Sequence, residues 1–245
     1  MSDQNQAANV RVRDRLLDAL TISSGAMDAI SFIAFGRVFT AFMTGNIVFL
    51  GLRLAGNTIV PSVVPLIAAI VGFGIGVYLG TRVVRRSQPA RTWPREVTLV
   101  LGVSLIFHAG ALVVWFAVNG RPSTSAIPVL LAFWGIAMGL QSAAVRALRV
   151  DAVYTTAATA TVIFLAGDVA SWTTTAVERG RLVRILVSLL VGAAAGGLLL
   201  MRGHIYAPVL PFLITAAVVA IASRQRQPAP AAEPQPAVGG LGRTR

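Results

Sequence analysis

The chain has 245 residues, of which 56% are hydrophobic and only 12% are charged. Ordinary soluble domains carry about 25% charged residues, so this composition does not suit a soluble surface. The positive charge behind the net value of +12 is entirely arginine, and the arginines lie between long apolar blocks, where they indicate membrane orientation rather than nucleic-acid binding. Cysteine is absent, which excludes disulfides and thiolate metal sites. The sequence therefore predicts an all-α, multi-pass membrane protein.

Blocks long enough to cross a membrane follow one another along most of the chain. Residues 1–13 form a polar N-terminal segment, and its first ten residues are expected to fray. Six apolar blocks then supply roughly the 20 residues that a hydrocarbon core of about 30 Å requires of a helix. They lie at 16–36, 62–81, 97–118, 127–145, 183–201 and 205–222. The last segment, 224–245, is rich in Pro, Ala and Gly and is predicted to be a disordered tail.

Two further apolar segments, 38–54 and 155–175, are interrupted by polar residues and could either cross the membrane or re-enter it. If both crossed, the arginines of 82–95 would lie on the opposite side from those of 11–15, against the positive-inside rule. If neither crosses, the arginines left outside the cytoplasm are Arg37, Arg53, Arg121 and Arg202. We therefore expect six spans, two broken or re-entrant helices, and both termini in the cytoplasm.

The second half of the chain repeats features of the first. The matched pairs include Thr40 with Thr155, Gly72 with Gly192 and Gly76 with Gly196. Chance matching of apolar sequence is the alternative explanation, but matched Thr and Gly residues argue against it. A unit of three spans has its ends on opposite faces, so the predicted repeats, 14–120 and 121–223, are inverted. Inverted repeats place a binding site near the midplane, where broken helices expose backbone groups.

Short motifs in both halves resemble those of a known family. The motifs are Gly-Ala-Met-Asp-Ala at 25–29 with Met-Thr-Gly-Asn at 43–46, and Gly-Leu-Gln-Ser-Ala at 139–143 with Thr-Ala-Thr at 159–161. They resemble the YoaK-like bacterial inner-membrane proteins, a family of unknown function. The chain departs from the family pattern at Ser142, where Asn is usual, and at Ala160, where Gly is usual. The resemblance implies a bacterial inner-membrane protein and supplies no mechanism.

Polar residues within the apolar segments are the candidate site. Asp28 falls close to the bilayer centre, where an isolated charge costs roughly 2.5–3.5 kcal/mol, so it indicates either a proton or cation relay or a hydrogen-bonded lock on a broken helix. Residues 44–46 suit a binding loop as well as they suit a structural role, as a tight turn or a helix-packing notch. Gln141 suits a substrate contact or an interhelical hydrogen bond. The candidate residues for a solute or ion are Asp28, Thr44, Gly45, Asn46, Gln141, Thr159, Thr161 and Asp168.

A second set of residues is predicted to pack helices together. Glycines spaced by four residues lie on one helix face and allow two helices to approach closely. These are Gly72, Gly76, Gly80, Gly192 and Gly196. The histidines, His108 and His204, have no further ligands at metal spacing, so no metal or other cofactor is predicted.

The sequence favours a secondary transporter or permease for a small solute. It contains no phosphate-binding loop, zinc-peptidase motif or Ser/His/Asp pattern, so no enzyme is predicted. A passive channel and a non-transporting scaffold or regulator of a partner protein are the alternatives. The expected partners are the lipid bilayer and an unknown small solute or ion, with no nucleic acid, and the sequence leaves a homo-oligomer open.

Overall fold

The computed structural model describes residues 3–85, 92–150, 158–171 and 175–224, and all regular structure within these ranges is helical. The α-helices are α1 (Asp3–Ala34), α2 (Met43–Leu54), α3 (Val63–Val84), α4 (Arg95–Ala117), α5 (Ala126–Ala147), α6 (Ala158–Ser171), α7 (Ala176–Arg202) and α8 (Val209–Arg224). A short 3₁₀ helix, His204–Tyr206, precedes α8. In this described part, six helices are long and apolar enough to cross a membrane: α1, α3, α4, α5, α7, and α8 with its 3₁₀ helix. The six predicted spans are confirmed.

The first helix differs from expectation at its start. It is already helical from Asp3, so the polar residues 3–10 extend the same helix before the apolar block. It ends just before Gly36 and Arg37, whose φ angles of 74° and 68° are left-handed. A glycine in this conformation commonly terminates a helix because it has no Cβ to clash with the backbone. The predicted disordered tail lies outside the described residues, apart from Arg224.

Two hydrophobic clusters mark the two ends of the helix bundle. The first cluster contains Leu16 of α1, Val84 of α3, Val97 of α4, Val145 of α5, Leu182 of α7 and Ala222 of α8. The second cluster contains residues at or beside the other ends of the same helices: Phe35, Leu66, Trp115, Leu130, Leu200 and Ala207. Each long helix therefore runs from one cluster to the other, and successive long helices alternate in direction.

The two short helices do not cross between these ends. Helix α1 ends and α3 begins at the second cluster, so α2 returns the chain to the face it left. Helix α5 ends and α7 begins at the first cluster, so α6 does the same on the opposite face. They have 12 and 14 residues. At about 1.5 Å per residue they extend only roughly 18–21 Å, less than a hydrocarbon core of about 30 Å.

The arginines divide between the two ends as expected for six spans. Those at the ends of the long helices near the first cluster are Arg11, Arg13, Arg15, Arg82, Arg85, Arg95, Arg146, Arg149, Arg179, Arg181, Arg184 and Arg224. Those on the side of the second cluster are Arg37, Arg53, Arg121 and Arg202. The arginine-rich end is therefore the end at the first cluster.

Glycines hold two pairs of helices in close contact. A Cβ added at Gly72 of α3 would lie 2.7 Å from the carbonyl oxygen of Ala132 in α5, and one added at Gly196 of α7 would lie 2.6 Å from that of Ala26 in α1. These separations leave no room for a side chain, so the helix backbones touch directly. The other predicted packing glycines, Gly76, Gly80 and Gly192, meet Ile136, Ala143 and Ile22 in the same two contacts.

Candidate functional site

Asp28 lies in α1, six residues before the helix ends at Ala34. At about 1.5 Å per residue it is roughly 9 Å from that end, so it lies close to the middle of the span, in the half that faces the second cluster. Its Oδ1 accepts hydrogen bonds from the backbone N–H groups of Thr40 at 2.9 Å and Ala41 at 2.8 Å, and from Thr40 Oγ1 at 3.2 Å. The carboxylate therefore fastens α1 to the segment that leads into α2.

The position of Asp28 also suits the start of α2. Thr40 and Ala41 lie two to three residues before Met43, the first residue of that helix. The start of a helix carries partial positive charge, which favours a carboxylate there. Oδ1 thus accepts three hydrogen bonds, and the backbone N–H of Phe42 also bonds to the carboxylate.

Asn46 fixes the same segment from the other side. It is fully buried in α2. Its Oδ1 accepts a hydrogen bond from the backbone N–H of Phe39 at 3.0 Å, and its Nδ2 donates to the Phe39 carbonyl oxygen at 2.7 Å. Both ends of the amide are thus used within the protein. Asn46 positions residues 39–41 beneath Asp28 and does not line the cavity described next.

A cavity of about 520 Å³ opens beside Asp28. It is bounded by α1, by the segment before α2, by the first turn of α6 and by α7; its lining includes Ser24, Asp28, Phe32, Phe39, Phe42, Thr159 and Leu189. Ligand pockets commonly have volumes of about 300–1,000 Å³, with mostly apolar walls and a few polar groups. The cavity therefore has the size and lining of a site for a small organic solute.

Three phenylalanines form one wall of this cavity. Phe32 stacks on Phe39 with ring centroids 4.9 Å apart, and Phe39 meets Phe42 edge to face at 5.2 Å. Gly45 of α2 lies under this wall, since a Cβ there would be 2.7 Å from the Phe42 ring. Gly45 therefore makes room for the aromatic wall rather than contacting a ligand.

Ser24 adds a polar group that sequence analysis did not single out. It is completely buried, and its Oγ has no hydrogen-bond partner among the described residues. A buried hydroxyl left without a partner costs free energy, so such groups in native proteins usually meet water or a ligand. Serine is common in apolar helices and nothing in the neighbouring sequence marks this one, so only its position at the cavity identifies it.

The other predicted site residues are dispersed. Thr159, the second residue of α6, reaches the cavity. Gln141 is fully buried and donates from Nε2 to the Leu20 carbonyl oxygen at 3.1 Å, which is the interhelical hydrogen bond weighed as its alternative role. Thr44 is exposed on α2 and Thr161 is buried in α6, and neither lines the cavity.

Asp168 belongs to a different part of the molecule. Its Oδ2 accepts a hydrogen bond from Arg179 Nε at 2.7 Å, and its side chain is only 1% exposed. Arg179 lies in the first turn of α7, at the arginine-rich end. The pair joins α6 to α7, and Asp168 does not meet Asp28 as a shared site would require.

The donor groups around the cavity do not form a metal site. In the part of the chain that the structure describes, no three His, Asp or Glu side chains are grouped as metal ligands. The lining offers one carboxylate, from Asp28, and the hydroxyls of Ser24 and Thr159. Hard cations such as Ca²⁺ take about six to eight oxygen ligands, so this set is too small for one.

These features define a multi-pass helical membrane protein with a cavity between two packed spans and two short helices that re-enter the bundle from opposite ends. The chain belongs to the family described as "Protein of unknown function (DUF1275)", which it matches over residues 16–221. It is similar to the UPF0700 transmembrane protein YoaK of Bacillus subtilis (strain 168), with 32% identity over 157 residues that cover 64% of this chain and 67% of that protein. No solved structure matches the chain significantly. The resemblance to YoaK-like proteins is confirmed.

Proposed function

We propose that this protein is a secondary transporter or permease for a small solute, and that the cavity beside Asp28 is its binding site. The observation that carries the proposal is an acid within a membrane span, at a cavity of about 520 Å³. Ionisable groups within spans are costly and commonly mark solute or proton pathways. A carboxylate that served only as a structural lock would not need such a cavity beside it.

The ends of the two short helices support this location. Phe42, immediately before α2, and Thr159, in the first turn of α6, both line the cavity. The N-terminal ends of both helices therefore reach the same space, one from each face of the bundle. Binding sites of secondary transporters are typically built where discontinuous helices meet in this way.

The repeated glycine contacts support a further proposal, that the two halves are inverted repeats. The contacts of α3 on α5, Gly72 on Ala132 and Gly76 on Ile136, recur in α7 on α1 as Gly192 on Ile22 and Gly196 on Ala26. Helices α3 and α7 run in opposite directions between the two clusters. A repeated contact between helices of reversed direction is what an inverted second copy produces.

The arginine distribution supports an orientation. Cytoplasmic loops carry the excess of Arg and Lys in multi-pass proteins. The arginine-rich end would then face the cytoplasm, with both termini there and the protein in a bacterial inner membrane. Asp28 would lie in the outer half of the bilayer, and a solute bound beside it would have to pass the packed α1–α7 contact to reach the cytoplasm.

Uptake into proteoliposomes tests the transport proposal. Wild type, Asp28→Asn and Glu96→Gln would be reconstituted under imposed pH and Na⁺ gradients and offered a panel of radiolabelled solutes. We expect wild type to accumulate a solute under one gradient, and Asp28→Asn to lose accumulation while still equilibrating that solute. Glu96→Gln removes a carboxylate from the first turn of α4, at the arginine-rich end, and should behave like wild type.

Three results would count against this function. Identical uptake by wild type and Asp28→Asn, for every solute moved and every gradient, would refute the coupling role of Asp28. Unitary currents in planar bilayers would indicate a passive channel instead. Absence of any flux, together with recovery of one stoichiometric partner protein on purification, would indicate a scaffold or regulator.

A further inference from the structure

We propose that the cavity beside Asp28 binds an organic monocation with an aromatic or aliphatic body, such as a protonated amine. The inference rests on the proposed function, because it names the substrate class of that site. Its first support is the negative charge of the side chains that line the cavity. Asp28 is the one titratable side chain among the described residues that line the cavity, and no arginine lines it, although the chain contains 21.

The hydrogen bonds of Asp28 direct its remaining capacity towards a ligand. Oδ1 is engaged by the backbone N–H groups of Thr40 and Ala41 and by the Thr40 hydroxyl. These bonds, together with one from the Phe42 backbone N–H, fix the carboxylate in orientation. Oδ1 is the more heavily engaged oxygen, so an ammonium group would meet Oδ2. The buried Ser24 hydroxyl, one helical turn away, offers a second acceptor and has no partner among the described residues.

The N-terminal ends of the two short helices carry partial positive charge, which opposes the binding of a cation. At α2 that charge is already directed at Asp28 Oδ1 through the preceding amides. The start of α6 contributes about half an elementary charge, less than the full charge of an ionised carboxylate. A cation at Oδ2 is therefore favoured over an anion, which would face Asp28 without any basic side chain to offset it.

The aromatic wall distinguishes an organic cation from an inorganic one. Phe32, Phe39 and Phe42 line the cavity, and the Phe39 ring contacts the other two. Aromatic faces attract organic cations at short range and also pack against an apolar body. A hard inorganic ion would instead need more oxygen ligands than one carboxylate and two hydroxyls provide.

Three probes with the same phenyl group and nearly the same length test this inference: 2-phenylethylammonium, 2-phenylethanol and phenylacetate. Their binding to the purified full-length protein in detergent would be measured by titration calorimetry at neutral pH. We expect the ammonium to bind wild type about tenfold or more tightly than the alcohol, as a hydrogen bond to a charged group implies. Phenylacetate should bind most weakly.

Variants then locate the binding. Asp28→Asn should weaken ammonium binding about tenfold or more and leave alcohol binding within about twofold of wild type. Phe39→Leu should weaken ammonium binding about two- to fivefold, as loss of a cation–π contact implies. Phe49→Leu is the matched control, because Phe49 stacks on Phe39 at 6.4 Å without lining the cavity. It should bind the ammonium as wild type does.

The outcomes separate this inference from the transport proposal. If the alcohol or phenylacetate binds wild type as tightly as the ammonium, the cation class is wrong, and this comparison needs no variant to fold. Retained ammonium affinity in a folded Asp28→Asn also overturns it. Selective ammonium binding without any flux in proteoliposomes would refute transport and support the inference. Coupled uptake of only neutral or anionic solutes would support transport and overturn the inference.

Discussion

Replacing Asn46 tests whether this residue positions the chain beneath Asp28 or serves a ligand. In Asn46→Leu, the backbone N–H and C=O of Phe39 both lose their partners. Leaving a buried polar group unsatisfied costs about 1–3 kcal/mol, so the two groups together predict a loss of about 2–6 kcal/mol in the free energy of unfolding. Because Phe39 is only half-buried, we expect the lower half of this range.

Equilibrium unfolding in mixed detergent micelles, followed by tryptophan fluorescence, measures this loss. Thr44→Leu is the matched control: it introduces the same side chain on the same helix at an exposed position, and should change the free energy of unfolding by less than about 0.5 kcal/mol. If Asn46→Leu and Thr44→Leu have the same free energy of unfolding, the two hydrogen bonds from Asn46 to Phe39 do not stabilise residues 39–41. Asn46 would then not be what positions Thr40 and Ala41 at Asp28.

Two further predictions concern packing and orientation. Gly76→Val should destabilise the protein by about 1–3 kcal/mol or more, since any Cβ there meets the Ile136 carbonyl, whereas Gly74→Val, with open space beside it, should have little effect in the same unfolding assay. Reporter fusions within residues 82–95 should be active only for a cytoplasmic reporter. A periplasmic location of that stretch would contradict six spans with cytoplasmic termini.

The spans were predictable from sequence because each one is a local property. A helix in lipid must satisfy its own backbone hydrogen bonds and needs about 20 apolar residues to do so, and both conditions can be read along the chain. The same reasoning, joined to the arginine distribution, predicted that 38–54 does not cross, and α2 returns the chain to the face at which α1 ends. The helix of the first span begins well before the apolar block at 16–36, because α1 is helical from Asp3.

The candidate site was predicted less well, because a polar residue in an apolar segment has several uses that look alike in sequence. Asp28 and Thr159 line one cavity. By contrast, the side chain of Asn46 is hydrogen-bonded to the Phe39 backbone, and that of Asp168 to Arg179. Ser24 was missed because nothing in its neighbouring sequence marks it, although its hydroxyl faces the cavity without a partner among the described residues. Whether a side chain is satisfied by the protein or left for a ligand depends on partners distant in the chain.

Composition, hydropathy and the spacing of arginines by themselves determined that this chain spans the membrane six times and interrupts the pattern twice. Those features follow from the transfer of each segment into lipid, which depends on that segment alone. Only the tertiary structure decided that a carboxylate, an aromatic wall and the starts of two short helices surround one cavity. Such a grouping arises from packing between residues far apart in sequence, and the direct backbone contacts at Gly192 and Gly196 set how closely α7 approaches α1 beside the cavity.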